Sequence, residues 1–530
     1  MKATPIKFEE TGFFSKTIID YLNQTETIQP FYNNFPDQKG FQQQLVEKQE
    51  SFNLSSRKIL VEALQNQYKN VDSSTLTQTN IDSLSHNNTF TITTGHQLNL
   101  FTGPLYFLYK IISAINLCTE LKSKFPDCNF VPVYWMATED HDFEEINYFN
   151  FKGKKVAWNS NQTGAVGRFS TKGLEDVFNV FALELGNHKN AIYLKNLFQK
   201  GYLEHSTLAE ATRFIANELF EDQGLVIVDG DDVELKKMFA PIVKDELLNE
   251  TSYKAVTKTI EKLELDYKIQ VNPREINLFY LTKGVRERII FEDDVYKVNN
   301  TSIIFSKEEI LQEVDHNPKA FSPNVIMRPL YQEVILPNLC YIGGGGELAY
   351  WFELKSYFEK VKIPFPILLL RNSVQIVSEK QAKKLAKLKI EEKEIFTNQT
   401  ELLAKKVIEN SNIKISFEEK INFLQNQFEE LKTIATETDA TFLSAVNAQE
   451  TKQIKGLKTL QKRLIRAEKR RQADLVDRIT ILQNELLPNQ SLEERQRNFS
   501  EFYLEHGNHF LKAIKLALKP LDLQFTVLEI

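Results

Sequence analysis

Phe130 to Met136 is an unbroken apolar run, bounded by Asn129 on one side and by Thr138-Glu139-Asp140 on the other. A short run of this texture reads as a strand covered on both faces. Leu225 to Val228 and Ile367 to Leu370 look the same. Thr89 to Thr94 alternates polar and apolar residues and runs into Gly95-His96. Beyond Phe101-Thr102-Gly103-Pro104, residues Leu105, Leu108, Ile112 and Ile115 recur at helical spacing. Pro104 suits a first helical turn, where its missing N–H is no loss. Strands alternating with helices predict an α/β core with a doubly wound, mainly parallel sheet. The order of its strands is not legible.

The chain has 530 residues, more than one core holds. Residues 1–85 are polar, with helical spacing at Leu45, Phe52, Ile59, Leu60 and Leu64, and read as an N-terminal helical segment. Residues 86–374 carry the sheet, interrupted by insertions over about 150–220 and 255–320. The texture then changes. Residues 367–487 hold no proline and one glycine, Gly456. Leu457, Leu460 and Leu464, then Leu475, Ile479, Leu482 and Leu486, keep a three–four spacing, with a polar window at Glu468 and Arg471. This predicts a helical coiled-coil arm over 375–515. Residues 516–530 end in Gln524 to Ile530, which read as a strand returning to the core.

Hydrophobic residues make up 42% and charged residues 26%, with a net charge of −6. That balance gives no general pull towards nucleic acid or anionic membrane. No apolar run approaches the roughly 18 residues of a membrane span, and Met1 to Phe14 lack the apolar core of a secretory signal. Cys118, Cys128 and Cys340 form no CxxC pair. They read as small apolar residues in a reducing cytoplasm.

Five segments are candidates for chemistry. Thr94, Gly95, His96 and Gln97, with Thr102 and Gly103, form a strand–loop–helix junction where backbone N–H groups and a helix dipole suit phosphate. The pattern is neither GxGxxG nor a Walker loop, and a plain turn and cap is the competing reading. Glu139, Asp140, His141 and Asp142 follow a buried strand, at the edge where α/β sheets bind ligands. They could place Mg²⁺ or move a proton, or Asp140 and Asp142 could only cap a helix. Arg328, set between apolar residues and a proline with Ser322 and Asn324 upstream, is a costly place for a charge unless it meets an anion or a carboxylate. Gly343, Gly344, Gly345 and Gly346 precede Glu347, concentrating backbone freedom where main chain would touch a ligand, with a hinge as the alternative. Lys455 to Arg471 holds eight basic residues against Glu468. Such a run is usually a solvated helix face, and RNA or phosphate binding is the alternative. His506 and His509 match a metal pair only loosely.

Taken together, TGHQLNLFTGPLYFLYKIISAI (94–115), VPVYWMATEDHDFEEIN (131–147), FSPNVIMRPLYQEVILPNLCYIGGGGELAYW (321–351) and, more faintly, LEERQRNFSEFYLEHG (492–507) resemble the bacillithiol biosynthesis cysteine-adding family. The resemblance implies a Rossmann-like core of nucleotidyltransferase type with connecting-peptide insertions and a coiled coil that mediates a homodimer. It implies a cytoplasmic ligase that adds cysteine to glucosaminyl malate in the last step of bacillithiol synthesis, with ATP and Mg²⁺ expected. The family commonly has Gly-Gln-Gln where this chain has Gly95-His96-Gln97, so binding through Thr94, Gly95 and Gln97 is implied rather than an essential imidazole. Arg495, Asn498 and Tyr503 mark a possible second nucleotide site.

On this reading phosphates lie over Thr94–Gln97 and Thr102–Gly103, Asp140 or Asp142 aids Mg²⁺, and Arg328 holds a malate carboxylate. His141 or Glu139 takes the amine proton, and Gly343–Gly346 with Glu347 frame the rest. A different class, a nucleotide-binding coiled-coil interaction module without ligase activity, fits the same segments. An RNA-linked synthetase relative rests on the basic helix alone, and neither nucleic acid nor a membrane is an expected partner.

Overall fold

In the computed structural model, which describes residues 2–530, the apolar runs become strands of one five-stranded sheet. Its order is Ile367–Leu370, Asn338–Gly343, Thr89–His96, Asn129–Met136, Val226–Asp229, and every neighbouring pair is parallel. Starting at the central Thr89–His96 strand, the chain builds outward on one side, then returns and builds outward on the other. The reversal leaves a crevice between Thr89–His96 and Asn338–Gly343, which is where ligands bind in sheets of this kind. The register pairs His96 with Met136, Met136 with Asp229, and Ile342 with Thr94, so four strands end together along one edge. Beneath them Phe90, Ile92, Leu117, Leu121, Leu339 and Leu369 share one core cluster.

The N-terminal segment forms helices Gln38–Ser51, Leu54–Tyr68 and Thr75–Ser83. Its anchor is polar: Arg57, fully buried, donates through Nη1 to the carbonyls of Leu84 and Thr89 and through Nη2 to that of Asn87. The first insertion is a hairpin, Tyr148–Phe151 with Lys154–Ala157, followed by helices Leu174–Leu185, Lys189–Leu203 and Leu208–Phe220. The second carries a separate antiparallel sheet in the order Ile304–Phe305, Val295–Val298, Val285–Glu292, Leu278–Thr282, Phe321–Pro323. The tail strand Phe525–Glu529 lies between Lys2–Ile6 and Val374–Val377. Cys118 and Cys340 are buried and Cys128 half-buried, all three unpaired.

Two units emerge from the packing. One comprises residues up to Glu9, Phe13–Ile376 and Glu493–Ile530; the other holds Glu10–Gly12 and Val377–Leu492. Helices Phe499–His506 and Asn508–Ala517, which their spacing alone assigns to the arm, therefore belong with the sheet. In the helical unit, Glu418–Thr436 and Ala440–Arg471 are joined by a three-residue turn capped by Asp439, around Phe428, Ala435 and Val446. The seam residues Leu457 and Leu464 are half-buried and Leu460 is exposed. Glu468, the polar window, is buried and accepts from Ser411 Oγ at 3.0 Å and Gln472 Nε2 at 3.2 Å. The basic stretch lies mostly in solvent. No helix among the described residues is long and apolar enough to cross a membrane.

Two predictions follow from these anchors. Arg57→Ala strands three carbonyls and leaves a void, so urea denaturation is expected to show a loss of about 2–4 kcal/mol. In the helical unit Glu394 meets Lys405 at 2.6 Å and Lys406 at 2.8 Å. Burial pushes its carboxyl up, but the two ammonium groups outweigh it and hold it at about 2. A depressed carboxyl contributes stability above its ordinary 4.5 and loses it as pH falls towards about 2. Glu394→Gln should therefore cost about 1–2 kcal/mol at neutral pH. The difference from the parent should close on acidification through that window, followed by helical circular dichroism.

Candidate active site

The crevice opens into a cavity of 610 Å³. The strand ends supply Gly95, His96 and Gln97, Glu139 to Asp142, and Gly230; Arg328 and Asn324 come from the segment before Asn338, and Glu347 from the helix after the glycine run. Gly95 sits in close surroundings. A Cβ there would lie 3.2 Å from Tyr341 Oη and 3.9 Å from Arg328 Nη1.

The acidic cluster is split by its partners. Glu139 meets Lys236 Nζ at 2.5 Å, and the same ammonium donates to the Phe321 carbonyl at 2.7 Å. Burial pushes Glu139 up and Lys236 down, and each one's charge offsets part of that. Asp140 accepts from Gln97 Nε2 at 2.9 Å and from the His141 backbone N–H at 2.7 Å. Burial would raise it, yet the His141 side chain, Gln97, Arg286 and the His141 backbone N–H together hold it well below the usual carboxylate range. His141 turns Nδ1 to Arg286 Nη1 at 2.7 Å. A guanidinium only donates, so that ring nitrogen is the acceptor. Asp142 is the outermost, 57% exposed, with the His141 ring 4.0 Å away.

Arg328 donates to Gln332 Oε1 at 3.1 Å and Tyr350 Oη at 3.3 Å, and lies over the Tyr341 and Trp135 rings. Among the described residues no carboxylate comes within ion-pair distance of it. Glu347 meets Lys110 Nζ at 2.5 Å, accepts from Tyr341 Oη at 2.7 Å and from the Gly344 N–H at 3.2 Å. Burial would raise its carboxyl, but Lys110 and these donors bring it below the ordinary value.

Other residues singled out by sequence are placed differently. Thr94 is fully buried and donates to the Ile342 carbonyl, so it joins strands rather than facing the cavity. His96 is buried, and desolvation together with Lys110 and Arg371 holds it well below the usual imidazole range. The glycine run forms the turn behind Glu347 without lining the cavity. Cβ atoms on Gly343 and Gly344 would meet the Glu347 side chain, one on Gly345 would meet Ile18, and Gly346 has open space. Asn324 spends its amide on Asn277 and on the backbone N–H groups of Ile326 and Met327, which sets the start of the Arg328 helix.

Phe101, Thr102 and Gly103 form a left-handed turn, with φ of 46°, 69° and 62°. The Phe101 and Gly103 carbonyls face Asn498, whose Nδ2 donates to them at 2.8 Å and 2.6 Å. The following helix start is also engaged, since the Leu105 N–H donates to the Arg497 carbonyl. Thr102 therefore does not reach the main cavity, and Gly103 lines a second one of 310 Å³ with Arg495, Tyr148 and Asn150; Gln97 and Tyr106 border both. Tyr503 instead stacks on Tyr193 with centroids 4.7 Å apart. Arg495, Asn498 and Tyr503 thus do not share one site. Among the described residues no three His, Cys, Asp or Glu side chains converge as a metal group, at Asp140 and Asp142 or at His506 and His509.

Sequence reasoning missed Lys110, Arg274, Arg286 and Arg288, all of which line the main cavity. Lys110 did leave a signal, as the lone charge in the apolar run Leu105 to Ile115. Replacing it tests the buried pair. Lys110→Met should destabilise by about 3–5 kcal/mol by stranding Glu347, and adding Glu347→Leu should recover more than half of that in a denaturation cycle.

Comparison with known proteins places the chain. Residues 1–372 match the family described as bacillithiol biosynthesis BshC, N-terminal Rossmann-like domain, and residues 374–530 match its C-terminal coiled-coil domain. A protein of Flavobacterium johnsoniae is 56% identical over 525 residues, covering 99% of each chain, and one of Flavobacterium psychrophilum is 57% identical with the same coverage. A more distant relative from Bacillus cytotoxicus is 27% identical over 521 residues, covering 93% of this chain and 94% of its own. All three carry the name "Putative cysteine ligase BshC". With both family domains matched end to end, this chain belongs to the bacillithiol biosynthesis BshC family.

Proposed function

We propose that this protein is a cytoplasmic cysteine ligase of bacillithiol biosynthesis, forming an amide between cysteine and glucosaminyl malate in the main cavity. The observation that carries this reading beyond the relatives' names is Arg328, a guanidinium walled by Tyr341, Tyr350 and Trp135 with no carboxylate partner among the described residues. A charge in such a place calls for an anion from outside. Arg274, Arg286 and Arg288 line the same cavity and add further guanidinium groups. A malate carboxylate on Arg328 fits as a fork-to-fork partner.

Amide formation from a free carboxylate is uphill, and ATP, when bound, supplies the leaving group that carboxylate lacks. The cavity fits such a ligand in charge and size, through Gly95–Gln97 and the surrounding cations. Thr102 and Gly103 do not extend that surface. Mg²⁺ commonly takes one or two carboxylates plus phosphate oxygens. Asp142 at the rim suits that better than Asp140, whose two oxygens are already engaged. For the amine proton, His141 has Nδ1 directed at Arg286, so Glu139, raised by burial and steadied by Lys236, is the acceptor this reading uses. The 3-2-1-4-5 order of the sheet supports kinship with class I nucleotidyltransferase and synthetase cores. The exposed Leu460 seam supports a homodimer through the helical unit.

Incubating the pure protein with ATP, cysteine and glucosaminyl malate should give the amide product. An interaction module without ligase activity would give none. Arg328→Ala should raise the apparent KM for glucosaminyl malate by about a hundredfold, and unchanged affinity would remove Arg328 from the site. Normal turnover by both Glu139→Gln and Asp142→Asn would remove the acidic cluster from the reaction.

A further inference from the structure

Behind Arg328 runs a buried chain whose hydrogen-bonding roles are dictated from its far end. Glu333, almost fully buried, accepts from Lys48 Nζ at 3.0 Å through Oε2 and from Asn338 Nδ2 at 2.7 Å through Oε1. An ionised carboxylate only accepts. Gln332, also fully buried, meets the same Oε1 at 2.9 Å and must present Nε2 there. Its carboxamide has a single oxygen, which is thereby turned to Arg328 Nη1 at 3.1 Å. Every link is consistent: Lys48 donates to Glu333, Gln332 donates to Glu333, and Arg328 donates to Gln332. With the amide reversed, two N–H groups would face one another and push the guanidinium aside.

We propose that Gln332 is a positioning residue, its amide locked by the Lys48–Glu333 pair so that Arg328 is aimed at the carboxylate of an anionic substrate. The proposal rests on the reading of Arg328 as the anion contact given above. It assigns a role at the cavity to Lys48, on the Gln38–Ser51 helix, although that lysine does not line it. The rings restrict the plane of the guanidinium; within that plane it is held at two points, Nη2 by the Tyr350 hydroxyl at 3.3 Å and Nη1 by Gln332 Oε1 at the shorter 3.1 Å.

The test uses the full chain, with L-malate as the probe in titration calorimetry and the Arg328 Nε–Hε signal in nitrogen-15 NMR. Arg57 and Arg371, both buried and held by their own acceptors, serve as internal references. Arg328→Met should weaken malate by about a hundredfold, and Gln332→Met, which keeps volume and loses the amide, by about tenfold. In Gln332→Met the Arg328 signal should broaden while the reference signals stay, a change that general loosening would not confine to one arginine. Glu333→Gln, which can present either end of its amide and so permits reversal, should fall between wild type and Gln332→Met. It carries the test if Gln332→Met fails to fold. Wild-type affinity with an unmoved Arg328 signal in the folded variants overturns the proposal. Wild-type malate affinity in Arg328→Met overturns the anion reading instead, while the NMR signal still reports whether Gln332 positions the guanidinium.

Discussion

Lys110 joins the two sides of the crevice on which this molecule's chemistry depends. Its ammonium reaches the Gly95 carbonyl at the end of the central strand and the Glu347 carboxylate beyond the glycine turn, across the place where the strand order reverses. A buried pair of this kind returns little net stability, because both charges give up water to form it. Its effect is geometric. It holds two chain segments that are distant in sequence at one separation.

The parallel core was legible because its strands are apolar on both faces, a pattern that helices of ordinary length do not share. Strand order was not, since it is set by which crossover packs on which face. The helical texture of residues 493–517 could not say which unit those helices join; helices Phe499–His506 and Asn508–Ala517 bury Phe499 and Phe510 in the first. The leucine seam likewise reads identically whether a partner helix comes from the same chain or another.

At the site, the acidic cluster and Arg328 stood out because charges following buried strands are costly unless used. Arg286 and Arg288 could not be found this way. They lie on a strand of the second insertion, and nothing in VRERIIFE tells that this sheet folds back over His141. The glycine run was over-read: its small residues make room for Glu347 and Ile18, not for a ligand. Thr102 and Asn498 were misassigned for a related reason. A turn with three left-handed residues needs carbonyl partners of its own, and the asparagine marked for nucleotide is the one that provides them.

That clamp has a bearing on how the protein comes to be made. The left-handed turn and the side chain that steadies it stand 397 residues apart at Phe101 and 395 at Gly103. A ribosome releases the central strand and its loop long before Asn498 and the Arg497 carbonyl exist to receive them. A fragment cut at the boundary between the two family domains would therefore carry the whole sheet and still lack the stitch at its binding edge.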